Sequence, residues 1–237
     1  MEQLSPQLMH KLVFTVLMHG LNDSQTTLAL KVLTDALDHD NPQVRELAVV
    51  ALADLPVPVA KRVHALMIAL TDEAPRVRRR AARALGDQGP AAGAAMLMLM
   101  NGLRDPDQSV RRDSAGALGR LGPAAHQSTT ALITLLADPE TRMRVVVSVA
   151  IKRIGRAAIP ALLNSVRTDD ADLRGRCATL LTKIAPDDAE VIAALKDVLT
   201  DEEEELRARD DESLQHVNTP LPIQVPRMMR NALPIEV

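Results

Sequence analysis

Apolar residues recur along the chain at three- and four-residue steps, and Gly, Pro, Asn and Asp interrupt the runs they form. This is the signature of amphipathic helices joined by short turns. The pattern predicts helices over roughly 6–20, 24–38, 42–54, 57–71, 75–87, 90–103, 108–121, 123–137, 141–154, 157–168, 171–185 and 188–200. The helices alternate in character. One helix of each pair opens on a Val-Arg step, and the next starts near Pro58, Pro90, Pro123 or Pro160, where a missing N–H in the first turn costs nothing. Gly86, Gly89, Gly119, Gly122 and Gly155 fall at the ends of the Val-Arg helices, which predicts left-handed residues closing the last turn.

The pattern is also periodic over a longer distance. Val44-Arg45, Val77-Arg78, Val110-Arg111 and Met143-Arg144 follow one another at intervals of 33, and Leu173-Arg174 follows after 30. A period of this length marks a solenoid, whose units bury their apolar faces only by stacking on neighbours. An acid precedes each step: Asp40, Asp72, Asp105, Asp138 and Asp169. The expected role of this ladder is structural, with Asp capping helix starts and Arg bridging to the acid of an adjacent repeat.

The repeated string Asp-x(3–4)-Val-Arg-x(2–3)-Ala-x(2)-Ala-Leu-Gly-x-x-Gly-Pro-Ala-Ala resembles the short bacterial HEAT repeats, the type described in phycobilisome lyases. The resemblance covers about 40–200, with 6–38 as a degenerate first pair. It implies an all-α, right-handed α-solenoid of about six HEAT-like helical pairs over 1–200. Ankyrin repeats share the period but need a Thr-Pro-Leu-His string that is absent. Tetratricopeptide repeats need Trp and Tyr, which this chain lacks. Function follows less closely, because the family spans lyase subunits, hydroxylases and pure scaffolds.

Beyond Thr200 the pattern changes. The acidic run 201–205 keeps the register, since Leu206 lies 33 after Leu173, and 201–216 is expected to be a polar helix capping the core. Over 217–237, Pro220, Pro222, Pro226 and Pro234 forbid a regular helix. Leu221, Ile223, Val225, Met228 and Met229 make this segment an extended apolar strap that must lie on something. Its own chain, a partner protein and a second copy in a homo-oligomer are all open.

Composition narrows the chemistry. The chain has 237 residues, 46% of them hydrophobic, and Phe14 is its one aromatic, so the core is aliphatic and stacking platforms for single-stranded nucleic acid are missing. A lone Cys177 rules out a disulfide framework and agrees with a reducing cytoplasm. The start of the chain has no basic leader, and no apolar run is long enough to span a bilayer, so a soluble intracellular protein is expected. His10, His19, His39, His64, His126 and His216 form no metal-ligand spacing, and the His-Glu dipeptides of di-iron HEAT hydroxylases are absent. Ser114 has no nucleophile elbow around it, and the Gly-x-x-Gly turns end in no Lys-Ser/Thr. No catalytic residue and no cofactor are nominated.

Charge is uneven along the chain. Residues 1–60 carry 3 Lys/Arg against 7 Asp/Glu, residues 61–183 carry 20 against 11, and residues 184–237 carry 5 against 13. Positions 33 apart are equivalent on adjacent helices, so the outward columns read Arg79/Arg112/Val145, Arg80/Asp113/Val146 and Arg83/Gly116/Val149. An apolar centre of Val145, Val146 and Val149, opened by Gly116 and Gly175, then sits inside a basic rim of Arg79, Arg80, Arg83, Arg112 and Arg153. That is the anatomy of a protein interface. The expected function is a non-catalytic scaffold or adaptor that holds a protein partner on the concave side. Phosphate tracking by the basic centre is the alternative, and a chromophore-lyase subunit is a second one.

Overall fold

The computed structural model describes residues 22–200 together with Gln7, Met9 and Lys11. The chain divides into one unit over Met1–Leu195 and another over Lys196–Val237. The expected capping helix and the tail residues Leu221, Ile223, Val225, Met228 and Met229 lie outside the described residues, as does most of the helix expected over 6–20.

The described residues are helices joined by short turns. They are α1 Asp23–Asp35, α2 Pro42–Asp54, α3 Val59–Ala69, α4 Pro75–Asp87, α5 Met96–Gly102, α6 Gln108–Leu121, α7 Thr129–Thr134, α8 Thr141–Ile154, α9 Ile159–Ser165 and α10 Ala171–Ile184. A last helix, α11, occupies 189–200. The Val-Arg helices α2, α4, α6 and α8 start and stop where the hydrophobic pattern places them. Asn22 forms a reciprocal capping box with Gln25, and Asn41, Asp107 and Asp170 accept N–H bonds from the first turns of α2, α6 and α10. Pro42 and Pro75 occupy first-turn positions, where no N–H is needed.

The partner helices are shorter than the pattern predicts. Instead of continuous α-helices over 90–103, 123–137 and 157–168, the chain runs through 3-10 turns at Gly89–Ala95, Gly122–Ser128 and Gly155–Ala158 before α5, α7 and α9 begin. Ala92 and Ala125 sit at kinks inside the first two turns. Pro-Ala-Ala is compatible with either helix type, and the tighter spiral reverses the chain in fewer residues.

The core repeats with the sequence. Val44, Val77, Val110 and Met143 are buried, as are Ala48, Ala81, Ser114 and Val147, and Leu52, Leu85, Leu118 and Ile151. Burying one such Leu contributes about 1.5–3 kcal/mol, so each layer is held by a few large aliphatic groups rather than by a central cluster.

The glycines divide into two kinds. Gly89, Gly122 and Gly155 have φ of 59°, 63° and 69° and turn the chain between helices. Gly86 and Gly119 lie inside α4 and α6 and do not cap them, contrary to expectation. They are contact points: a Cβ on Gly86 would stand 2.8 Å from the Cα of Ala117, and one on Gly119 would stand 2.5 Å from the Cα of Ala150. The missing Cβ lets α4, α6 and α8 approach almost backbone to backbone.

The residue at this position changes along the column. It is Ala53 in α2, Gly86 in α4, Gly119 in α6 and Lys152 in α8. Helix approach is closest at the two glycine interfaces, looser between α2 and α4, and loosest between α8 and α10, where the repeat is also three residues shorter. Up to α8 the Val-Arg helices stack directly on one another, α2 on α4, α4 on α6 and α6 on α8.

Candidate functional site

The Asp/Arg ladder is structural, as the pattern implies, but its form differs along the stack. Every ladder arginine ties down the loop before its own helix. Arg45, Arg78, Arg111, Arg144 and Arg174 all donate from Nη1 to the carbonyl six residues earlier, at 2.7–2.9 Å. Arg45 and Arg78 also reach a described acid of the next repeat. Arg45 forks onto Asp72 at 2.7 and 2.9 Å, and Arg78 forks onto Asp105 at 2.7 and 2.7 Å. The hydrogen bond to Asp72 pushes the Arg45 guanidinium above its ordinary pKa, against the opposing pull of burial. Burial works to raise the Asp105 carboxyl, but hydrogen bonds from Arg78 and from the Asp107 N–H hold it below the usual carboxylate value.

The ladder acids do not cap helices. Asp72, Asp105 and Asp138 each accept the N–H two residues on, from Ala74, Asp107 and Glu140 at 2.7, 2.8 and 2.8 Å. They hold the loop in an Asx turn just before the cap position.

The outward arginines of the Val-Arg helices are largely engaged with carboxylates. Arg79 and Arg83 share Asp113 at 3.7 and 2.9 Å, and Arg76 and Arg80 share Glu46 at 3.9 and 3.3 Å. Arg112 meets Glu140 at 3.2 Å, and Arg120 meets Asp87 at 3.3 Å while lying over Gly86. These pairs cross the α2–α4, α4–α6 and α6–α8 intervals and cover them with matched charge. Asp113 already stood beside Arg80 in the column comparison; its pairing with Arg79 and Arg83 needed the offset between adjacent helices.

At α8 this pattern stops. Val145 is 57% exposed and Val149 37%, and on the Val-Arg helices they are the described large apolar side chains that stand open to solvent. Val146 is half-buried, with its Cγ1 close to Gly116, and nothing stands within 4 Å of where a Gly175 side chain would begin. Of the expected rim, Arg153 is exposed and enters no ion pair among the described residues. Arg142, one turn before Val145, is exposed and similarly unengaged, and single-column reading overlooked it. Its signal was its position three residues before the valine pair.

The remaining chemistry-bearing groups are quiet. Cys177 is fully buried, and desolvation pushes its thiol up to about 11, far from a reactive thiolate. Ser114 is fully buried with its hydroxyl unpaired, pressed against Gly102. No helix among the described residues is long and apolar enough to cross a membrane.

An α-solenoid with one column of helices presented to solvent is the class this architecture defines. The chain belongs to the HEAT repeats: the family model matches residues 30–98 and 63–150. No curated protein matches the sequence. Among solved structures, Escherichia coli YibA is 17% identical, with 81% of this chain and 69% of that one covered at a TM-score of 0.52. Computationally designed armadillo repeat proteins for modular peptide recognition are 18% identical, with 75% and 92% covered at 0.50. The complex of CpcE and CpcF of phycocyanin lyase from Nostoc sp. PCC7120 gives 24% identity, 67% and 65% coverage and a TM-score of 0.47. At these identities the likeness is one of fold.

Proposed function

We propose that this protein is a non-catalytic scaffold or adaptor that holds a protein partner on the concave face of its repeats. Val145, Val146 and Val149 form the centre of the contact, and Arg79, Arg80, Arg83, Arg112 and Arg153 its rim. The apolar tail 217–237, through Leu221, Ile223, Val225, Met228 and Met229, is a second contact. The carrying observation is the exposed valine pair on a face that elsewhere covers itself with ion pairs. An apolar centre of this kind is what a hot spot requires. The designed armadillo proteins, whose fold this chain shares, are made for peptide recognition, which supports the same reading.

The engaged state of Arg76, Arg79, Arg80, Arg83 and Arg112 counts against phosphate tracking, since each already faces a carboxylate. The phycocyanin lyase likeness is too distant to support a catalytic reading.

The test is affinity capture from nuclease-treated native extract with the full chain, with a version ending at His216 and with Val146→Asp. A stoichiometric protein that is retained by the full chain and lost from Val146→Asp is the expected result. Undiminished capture by Val146→Asp removes the valine centre, and material that disappears with nuclease removes the adaptor reading. Loss from the shortened chain identifies the tail as part of the contact.

A further inference from the structure

The α8–α10 interval differs from every earlier one in three respects, the last two of them related. First, Lys152 stands where Gly86 and Gly119 bring the preceding helices together, and α8 and α10 approach each other less closely than those helices do. Second, no ion pair among the described residues bridges α8 to α10, whereas Glu46, Asp113 and Glu140 close the three intervals before it. Third, the cations here have no carboxylate: Arg142 and Arg153 on α8, and Arg176 across the interval on α10, enter no ion pair among the described residues.

The order of groups along α8 defines what would fit. Arg142, Val145, Val149 and Arg153 fall on one face, at steps of three and four. At about 1.5 Å per residue, the two cations stand about 16 Å apart along the helix, with two valines about 6 Å apart between them. A bare phosphate chain would satisfy the cations but leave both valines in water. An apolar helix would cover the valines but leave the cations without counter-charge.

We propose that the α8–α10 interval is a docking site for an acidic peptide segment of a partner protein, in which two apolar side chains cover Val145 and Val149 and flanking carboxylates meet Arg142 and Arg153. The assignment rests on the adaptor reading and adds to it the place and the chemistry of the partner. Charge complementarity carries it: the earlier repeats supply their own carboxylates, and among the described residues this one supplies none to Arg142 and Arg153. The solvated flanking charges set which segment is selected more than how tightly it holds.

Selection of random linear peptides by display on the immobilised full chain tests this directly. The intact chain is expected to enrich peptides with two apolar residues flanked by Asp or Glu. The Arg142→Glu/Arg153→Glu chain should enrich Lys or Arg flanks instead, and should bind the best acidic peptide at least about tenfold more weakly. Val149→Asp should retain none. All three side chains are exposed, so far-UV circular dichroism should be unchanged in both variants. Peptides of the same charge from the intact and the swapped chain overturn the assignment, as does failure to enrich acidic flanks. If the natural partner is lost by Val149→Asp but kept by the charge-swapped chain, only the acidic character falls. If Val149→Asp keeps the partner, the adaptor reading falls at this face.

Discussion

Replacing Gly119 by Ala and Gly175 by Ala should change stability in opposite directions, although each adds one methyl group inside a Val-Arg-type helix. On Gly119 the new Cβ would lie 2.5 Å from the Cα and 2.8 Å from the Cβ of Ala150. An ordinary carbon contact is about 3.5–4.0 Å, so α6 and α8 must separate by about 1 Å. Overpacking costs about 1–3 kcal/mol, and against the Ala150 backbone, which cannot rotate away, the cost falls at about 2–3 kcal/mol. Ala is the better helix former by about 1 kcal/mol, which offsets part of that cost and leaves Gly119→Ala destabilised by about 1–2 kcal/mol. On Gly175 the added Cβ meets nothing within 4 Å, so the helix preference acts alone and Gly175→Ala should gain about 0.5–1 kcal/mol. Urea unfolding of the full chain, followed by circular dichroism at the helical minimum, reads both. A Gly119→Ala chain as stable as the parent would show that close backbone approach does not hold α6 to α8. The reasoning would then fail for Gly86 as well.

Three further predictions concern buried chemistry. Ser114→Ala should raise stability by up to about 1 kcal/mol, because the buried hydroxyl has no hydrogen-bond partner; a loss in urea unfolding would mean that a partner exists. Asp105 has a carboxyl pKa below its ordinary value, so its contribution is fully present above the unfolded-state value of about 3.9. That contribution disappears as pH falls through the lower folded value. Asp105→Asn should therefore be the weaker protein at neutral pH, and the gap between the two chains should close as pH falls through that lowered folded value. Parallel unfolding curves across that range would refute the sign. Cys177, with its thiol near 11 and no exposure, should resist iodoacetamide at pH about 8 in the folded protein and react once urea unfolds it; rapid native labelling would show that α10 opens.

The fold was legible because its signals are local and repeated. Val44, Val77, Val110 and Met143 announce the same buried position four times, and the cap and breaker residues around them place the helix ends. The roles of Gly86 and Gly119 were not legible in one helix alone. A glycine near a helix end suits a cap, and only the neighbouring Ala117 and Ala150 show that it serves an approach. The valine patch could be read because column comparison exposes departures from the repeat. The ion pairs around it could not, because Arg79 and Asp113 meet across adjacent helices at an offset that the 33-residue register does not give. Lys152 was the overlooked clue: it breaks the series that begins with Gly86 and Gly119.

These interfaces also imply a gradient of local stability along the stack. A solenoid holds each unit only by its neighbours, so a loose interface is a place where unfolding starts. Each of the first intervals has at least two of three ties, and α4–α6 has all three: Arg45 and Arg78 fork onto the next repeat's acid, Gly86 and Gly119 bring helices into contact, and surface ion pairs span the gaps. Among the described residues Arg144 bonds its own loop and Thr141, and α8 lacks the close approach to α10. The exchange of backbone amides for deuterium should therefore be faster in α10 than in α4 or α6, under conditions where the whole chain is folded. A partner bridging α8 and α10 would supply the ties that this interval lacks, so its binding should slow exchange in α10 more than in α4. Uniform protection along the free chain would show that the spacing has no energetic consequence. Protection of α4 on binding, with α10 unchanged, would place the partner elsewhere on the concave face.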